Sequence, residues 1–279
     1  MQENIKEIMS YYPLNGFQVA LISAVVSIFT FLATSWIKNF FANKLHTRNL
    51  VTEHTFNQRK LIKEVLAKNK IHLLSACEEL NHRLWHYAKK KGEQWMVANG
   101  NYKNDSHYFH SFAYRILKVY AWIKIIQKEM IFLDTTIASK EDLEFVKFLR
   151  VFPEIFCDLS LIEGEKADGR FAKDHFFRNN FELLPDAILR QDKIKSFAEY
   201  MEDKLLTQEG LAKLYKFLDG ISPNEDDRKR WDRLHLLNLL LIIFLNNYGY
   251  DFQKTSEEKF KEVLTKPKFS MYSGIYLSC

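Results

Sequence analysis

Between Glu7 and Lys38 the chain carries no charged side chain. Within that interval Gly16–Ile37 is long enough to cross a hydrocarbon layer of roughly 30 Å as one helix. Tyr11, Tyr12, Trp36, Phe40 and Phe41 stand at its two ends, where amphipathic rings favour the headgroup zone. A cleaved signal peptide is the competing reading. Glu3 and Glu7 at the start, the length of the apolar run and the poor cleavage site at Phe31-Leu32-Ala33 disfavour it, so an uncleaved anchor is expected. Lys38, Lys44, Arg48, Arg59 and Lys60 follow the span against Glu53 alone, whereas the head holds one lysine. The positive flank stays inside. This predicts a single-pass protein of the bacterial inner membrane, with the N-terminus outside and the C-terminal domain cytoplasmic.

Apolar residues make up 47% of the 279, ordinary for a folded protein, so a real core is expected beyond the span. A net charge of +5 is too small to specify a partner. Cys77, Cys157 and Cys279 lack metal-ligand spacing, and their odd number suits a reducing compartment. Cys279 is the last residue, so it cannot begin a prenylation box.

The rest of the chain reads as helical. Residues 57–91 place Leu61, Val65, Leu73, Leu74, Leu80 and Leu84 at helical spacing, and 108–133 form a second long, aromatic-rich helix. Capping boxes are expected at Ser139 with Asp142, Ser222 with Glu225, and Thr255 with Glu258, with Pro223 reinforcing the second. Gly249 suits a helix stop, and 99–105 and 164–169 are the best loops. The apolar run 234–245 is too short to span a membrane and predicts a buried core helix. No alternating run argues for a substantial sheet. The fold expected is mainly α: a head and transmembrane helix over 1–45, then a helical cytoplasmic domain over 46–279.

A stripe runs along the span. Gly16, Ala20, Ser23, Ser27, Thr30 and Thr34 step by 4, 3, 4, 3 and 4, the pattern of a supercoiled seam. In lipid, small residues permit close helix approach, and hydroxyls can bond across helices or face water in a pore. Leu21, Val25, Ile28, Phe29, Leu32 and Trp36 lie away from the stripe and suit lipid. The bland alternative is a chance run whose hydroxyls bond back to their own helix.

A basic-aromatic stretch, 169–180, interleaves Arg170, Lys173 and Arg178 with Phe171, Phe176 and Phe177. Phosphate contact with base stacking needs that mixture, and Arg170, Lys173, Arg178, Phe171 and Phe177 are the candidate ligand residues. A solvated helix face looks the same in sequence. Lys89-Lys90-Lys91 and Arg228-Lys229-Arg230 are further basic clusters. Glu79, His82 and His86 fall on one helix face and His107 and His110 form an i, i+3 pair, a metal-holding arrangement at most. Without zincin spacing they read better as core or surface histidines, and neither metal nor other cofactor is expected. No glycine-rich phosphate loop, nucleophile elbow or paired-carboxylate motif is present.

Two resemblances follow from particular segments. Arg230 and His235 resemble the Arg-x4–6-His signature of HEPN ribonucleases, although Trp231 departs from the family's small polar residue. Residues 75–89 and 113–134 resemble single-span bacterial membrane proteins with a helical cytoplasmic domain. Glu79, Leu80, Arg83 and Leu84 answer to an acidic-Leu-x-x-Arg-Leu segment, less one residue of register. Ala113, Tyr114, Tyr120, Trp122, Ile125, Glu129, Phe132, Leu133 and Asp134 answer to a following aromatic helix. A later Phe-Arg-Gly-Glu-Gln block survives only as Phe177-Arg178-Asn179-Asn180-Phe181. Proteins of this build resemble effectors of bacterial antiphage systems, including the Hailong type. That resemblance implies a homo-oligomeric, non-enzymatic membrane channel. It would be controlled by an oligonucleotide or cyclic nucleotide made by a partner nucleotidyltransferase. A membrane-tethered HEPN-like ribonuclease is the alternative.

Overall fold

The computed structural model describes residues 15–90, 94–102, 107–131, 137–158, 174–191, 193–221 and 228–264. Arg170, Phe171, Lys173, Cys279, the loop 164–169 and the Ser222/Glu225 box lie outside the described residues. Two compact units divide between Gln58 and Arg59.

Helix α1, Gly16–Lys90, passes through that division, so the span and the expected 57–91 helix are one element. Its surroundings change along its length. Before Gln58 its apolar side chains are exposed, among them Phe29 at 73% and Trp36 at 70%. Beyond Arg59 a stripe at Ile62, Leu66, Asn69, Leu73, Cys77, Leu80, Leu84 and Tyr87 is buried. Those steps of three and four keep one helix face on the core. Leu61, expected inside, is 43% exposed, and Ile62 takes the core position one residue on.

The second unit is helical. Helix α2 is His107–Met130, α3 Lys140–Cys157, α4 Arg178–Leu183, α5 Phe197–Leu218, α6 Arg228–Tyr248 and α7 Glu257–Leu264. Strands β1, Leu189–Arg190, and β2, Lys193–Ile194, pair antiparallel as a two-residue hairpin, with Gln191 at φ 49° in its turn. Among the described residues this hairpin is the whole of the sheet structure, in line with a mainly α fold.

Helix α2 lies along α1. Cross-links pair Lys68 and Asn69 with Glu129, His72 with Trp122, Glu79 with Lys118, and Arg83 with Ser111. Rising numbers on α1 meet falling numbers on α2, so the two run antiparallel. The remaining core is aromatic. Phe145, Leu149, Phe152 and Phe156 on α3 recur at helical spacing and are buried against Phe244 of α6 and Phe217 of α5. The run 234–245 is core as predicted: Leu237, Leu241, Ile242, Phe244 and Leu245 are all fully buried.

Helix ends follow local chemistry. The Ser139 hydroxyl accepts from the Asp142 amide at 3.2 Å, as the spacing predicts. Thr255 is not the cap expected of it, because Asn246 takes both its amide and its carbonyl, and α7 starts only at Glu257. Its own backbone N–H and then the Ser256 hydroxyl hold the Glu258 carboxyl below the usual range. Gly249 ends α6: its amide donates to the Leu245 carbonyl at 2.8 Å, and a Cβ there would sit 2.5 Å from that oxygen. Ser196 with Glu199 forms a full capping box on α5 that the sequence reading passed over, although the spacing is the one sought elsewhere. The Ser196 amide, then its hydroxyl, lowers the Glu199 carboxyl. That contribution is present above the ordinary glutamate range and is lost as pH falls through the lowered folded value. Ser196→Ala is expected to destabilise the protein by about 1 kcal/mol, read from the urea midpoint by circular dichroism.

Candidate functional site

The apolar stretch of α1 is the first candidate. It is the helix long and apolar enough to cross a membrane among the described residues, and none of its apolar window is buried within the chain. The whole stripe Gly16, Ala20, Ser23, Ser27, Thr30 and Thr34 is exposed. The Ser27 hydroxyl donates to the Ser23 carbonyl at 2.8 Å and Thr30 to Val26 at 2.7 Å, while Thr34 donates to Thr30. These three hydroxyl protons are thus satisfied in the lone helix, and each oxygen keeps a lone pair for a neighbour or water.

The second candidate lies at 174–190. Of the five residues expected to bind a ligand, Phe177 and Arg178 are described. Phe177 is 72% exposed and precedes α4, whereas its neighbour Phe176 is buried among Phe156, Phe181 and Phe217. The Arg178 guanidinium pairs with Glu154 and with Glu182 at 3.2 Å, and the Glu154 hydrogen bond raises its pKa. A cleft of about 350 Å³ opens beside it, lined by Tyr120, Lys124, Phe181 and Pro185. There Lys124 is held at 2.6 Å by Asp186 and donates to the Glu182 carbonyl. Arg178 and Lys124 are therefore both committed to carboxylates.

Arg230 and His235 have structural surroundings. Arg230 donates to the carbonyls of Lys216, Phe217 and Asp219, closing the C-terminal end of α5. Arg233, three residues on and buried, does the same for α3 through Ile155 and Asp158. A cation on a helix's last carbonyls satisfies orphan acceptors and opposes the negative end of the dipole. His235 is buried edge-on to Trp231 at 5.2 Å. Arg230 and Arg233 are thus a double clasp on two other helices. Asp219 completes the joint by accepting from the amides of Ala98, Asn99 and Gly100, where φ is +50° at Asn99 and +77° at Gly100.

The histidines do not gather. His110 is buried with Nε2 2.9 Å from the Tyr102 carbonyl, His107 packs on Phe197, and His86 stacks on Trp95. Among the described residues no group of three His, Cys, Asp or Glu side chains could hold a metal ion. What the sequence reading missed is the polar side of the α1–α2 groove, where Arg83 and Arg115 meet. They are far apart in sequence, so no spacing rule brings them together. No family model, no curated protein and no solved structure matches the chain.

Proposed function

We propose that the protein is a membrane-anchored, homo-oligomeric effector of bacterial antiphage defence, without catalytic activity, that forms or gates an ion-conducting pore. The carrying observation is the α1 segment whose apolar side chains are all exposed in the single chain. Such a surface needs lipid and like helices rather than water around it. In this reading Leu21, Val25, Ile28 and Phe29 meet lipid, while the Gly16–Thr34 stripe brings copies together and lines the pore. The positive flank after Ile37 holds the helical domain in the cytoplasm, with the N-terminus outside. The resemblance of 75–89 and 113–134 to single-span effectors supports a nucleotide signal made by a partner nucleotidyltransferase. That signal controls the pore by binding one state of the helical domain more tightly than the other.

Cells expressing the wild type, with a potential-sensitive dye, supply the test. The wild type is expected to collapse the membrane potential. Ser23→Leu with Ser27→Leu is expected to abolish the collapse while leaving the protein in the membrane, because bulky groups block close helix approach. Depolarisation by the variant equal to that of the wild type would remove the stripe from the pore.

A further inference from the structure

Midway along the α1–α2 groove two arginines meet at one hydroxyl. Arg83 Nη2 donates to Ser111 Oγ at 3.0 Å, and Arg115 Nη1 donates to the same oxygen at 2.7 Å and to the Ser111 carbonyl at 3.0 Å. Ser111 is 2% exposed and both arginines are half-buried. Burial, then the charge of Arg83, pushes the Arg115 pKa down. The charge of Glu79 acts in the opposite direction on Arg115, but its carboxylate is bonded by Lys118 through both oxygens at 2.9 and 3.0 Å. Among the described residues neither Arg83 nor Arg115 pairs with a carboxylate. Two like charges held this close in a partly desolvated groove repel, and an anion between them removes the repulsion. Each guanidinium has five N–H donors, so most remain for that anion.

An aromatic shelf adjoins the pair. The Arg83 guanidinium lies over the Tyr108 ring at 4.4 Å, Tyr108 meets Trp95 at 4.9 Å, and Trp95 stacks on His86 at 5.7 Å and 10°. Trp95 is 40% exposed and His86 is exposed. A forked cation pair beside partly exposed aromatic rings is the mixture that receives a phosphate and its base together.

We propose that Arg83, Arg115 and Ser111 bind a phosphate of a nucleotide ligand whose base stacks on the Trp95–His86 shelf. This deepens the proposed function and rests on its reading that a nucleotide controls the helical domain. It moves the signal site away from Arg178, whose charge is already neutralised. Binding is measured apart from conduction, so the two readings fail separately.

The experiment is fluorescence anisotropy on the full-length, detergent-solubilised protein with fluorescein-labelled DNA and RNA trinucleotides. Inorganic phosphate and unlabelled 5′-mononucleotides serve as competitors. The wild type is expected to bind, and with one phosphate neutralised by the two arginines its affinity should fall about threefold between 50 and 200 mM salt. Arg83→Gln with Arg115→Gln is expected to abolish binding, while Arg178→Gln leaves it unchanged. Trp95→Ala should weaken the trinucleotides about tenfold and leave competition by inorganic phosphate unaltered. Should the double variant lose its helical circular dichroism, Arg83→Lys decides instead: it keeps the charge, loses the fork and is expected to weaken binding. No binding by the wild type at 50 mM salt, or Arg83→Lys binding as the wild type does, would overturn the site. Displacement by inorganic phosphate as effective as by mononucleotides would overturn the nucleotide assignment. Nucleotide binding without depolarisation in cells would count against the pore and leave the site standing.

Discussion

Replacing Val25 and Ile28 together by arginine is expected to release the protein from the membrane fraction. Both sit near the middle of the apolar segment and are exposed, at 59% and 61%, so the described residues offer them no other shelter. On insertion scales an arginine at the centre of a spanning helix costs about 3 kcal/mol. Two of them within one turn cost about 6 kcal/mol and leave no window of sufficient length free of charge. The measurement is carbonate extraction followed by sedimentation, with Ser23→Leu/Ser27→Leu as the control that keeps the apolar character. Retention of the doubly substituted protein in the pellet would show that Gly16–Ile37 is not the anchor.

Two neighbouring phenylalanines give the other large effect. Phe176→Ala is expected to destabilise the helical unit by about 3–5 kcal/mol, and Phe177→Ala by no more than about 0.5 kcal/mol. Phe176 is 1% exposed, with ring centroids 5.4–5.9 Å from Phe156, Phe181 and Phe217, so truncation empties a packed aromatic site. Phe177 is 72% exposed and loses little. In thermal unfolding of the solubilised protein, the first change should lower Tm by on the order of 10 °C and the second by about 1 °C. Comparable shifts in the two variants would contradict this division between core and surface. It also bears on ligand binding, because only the exposed ring of the pair is free to stack on anything outside the chain.

That pair shows where sequence reading stops. The basic-aromatic stretch 169–180 has the composition of a phosphate and base site, but composition does not say which charges are already spent. Glu154, on a different helix, and Glu182, one turn on, both reach Arg178. The Arg-x4-His pair likewise has the spacing of a reactive site, yet Arg230 is held by the carbonyls at the end of α5. In both cases the deciding partner comes from another element.

What the sequence determined by itself was local or periodic. The charge-free interval from Glu7 to Lys38 announces a helix suited to lipid, because the transfer of charge into hydrocarbon outweighs the other terms there. The helical spacing of Leu73, Leu80 and Leu84 announces the core face of α1 beyond Arg59, because a helix repeats every 3.6 residues whatever surrounds it, and the shortness of the apolar run 234–245 announces α6 as a core helix. Ser139 marks a helix start and Gly249 a helix end, each through a bond to a residue three or four positions away. Only the tertiary structure decided the rest. Whether a cation is free, paired or closing another helix depends on contacts between residues distant in sequence, and no spacing encodes those. Arg83 and Arg115 meet at Ser111 because α1 and α2 pack antiparallel in one register, and that register is set by the apolar faces rather than by the arginines.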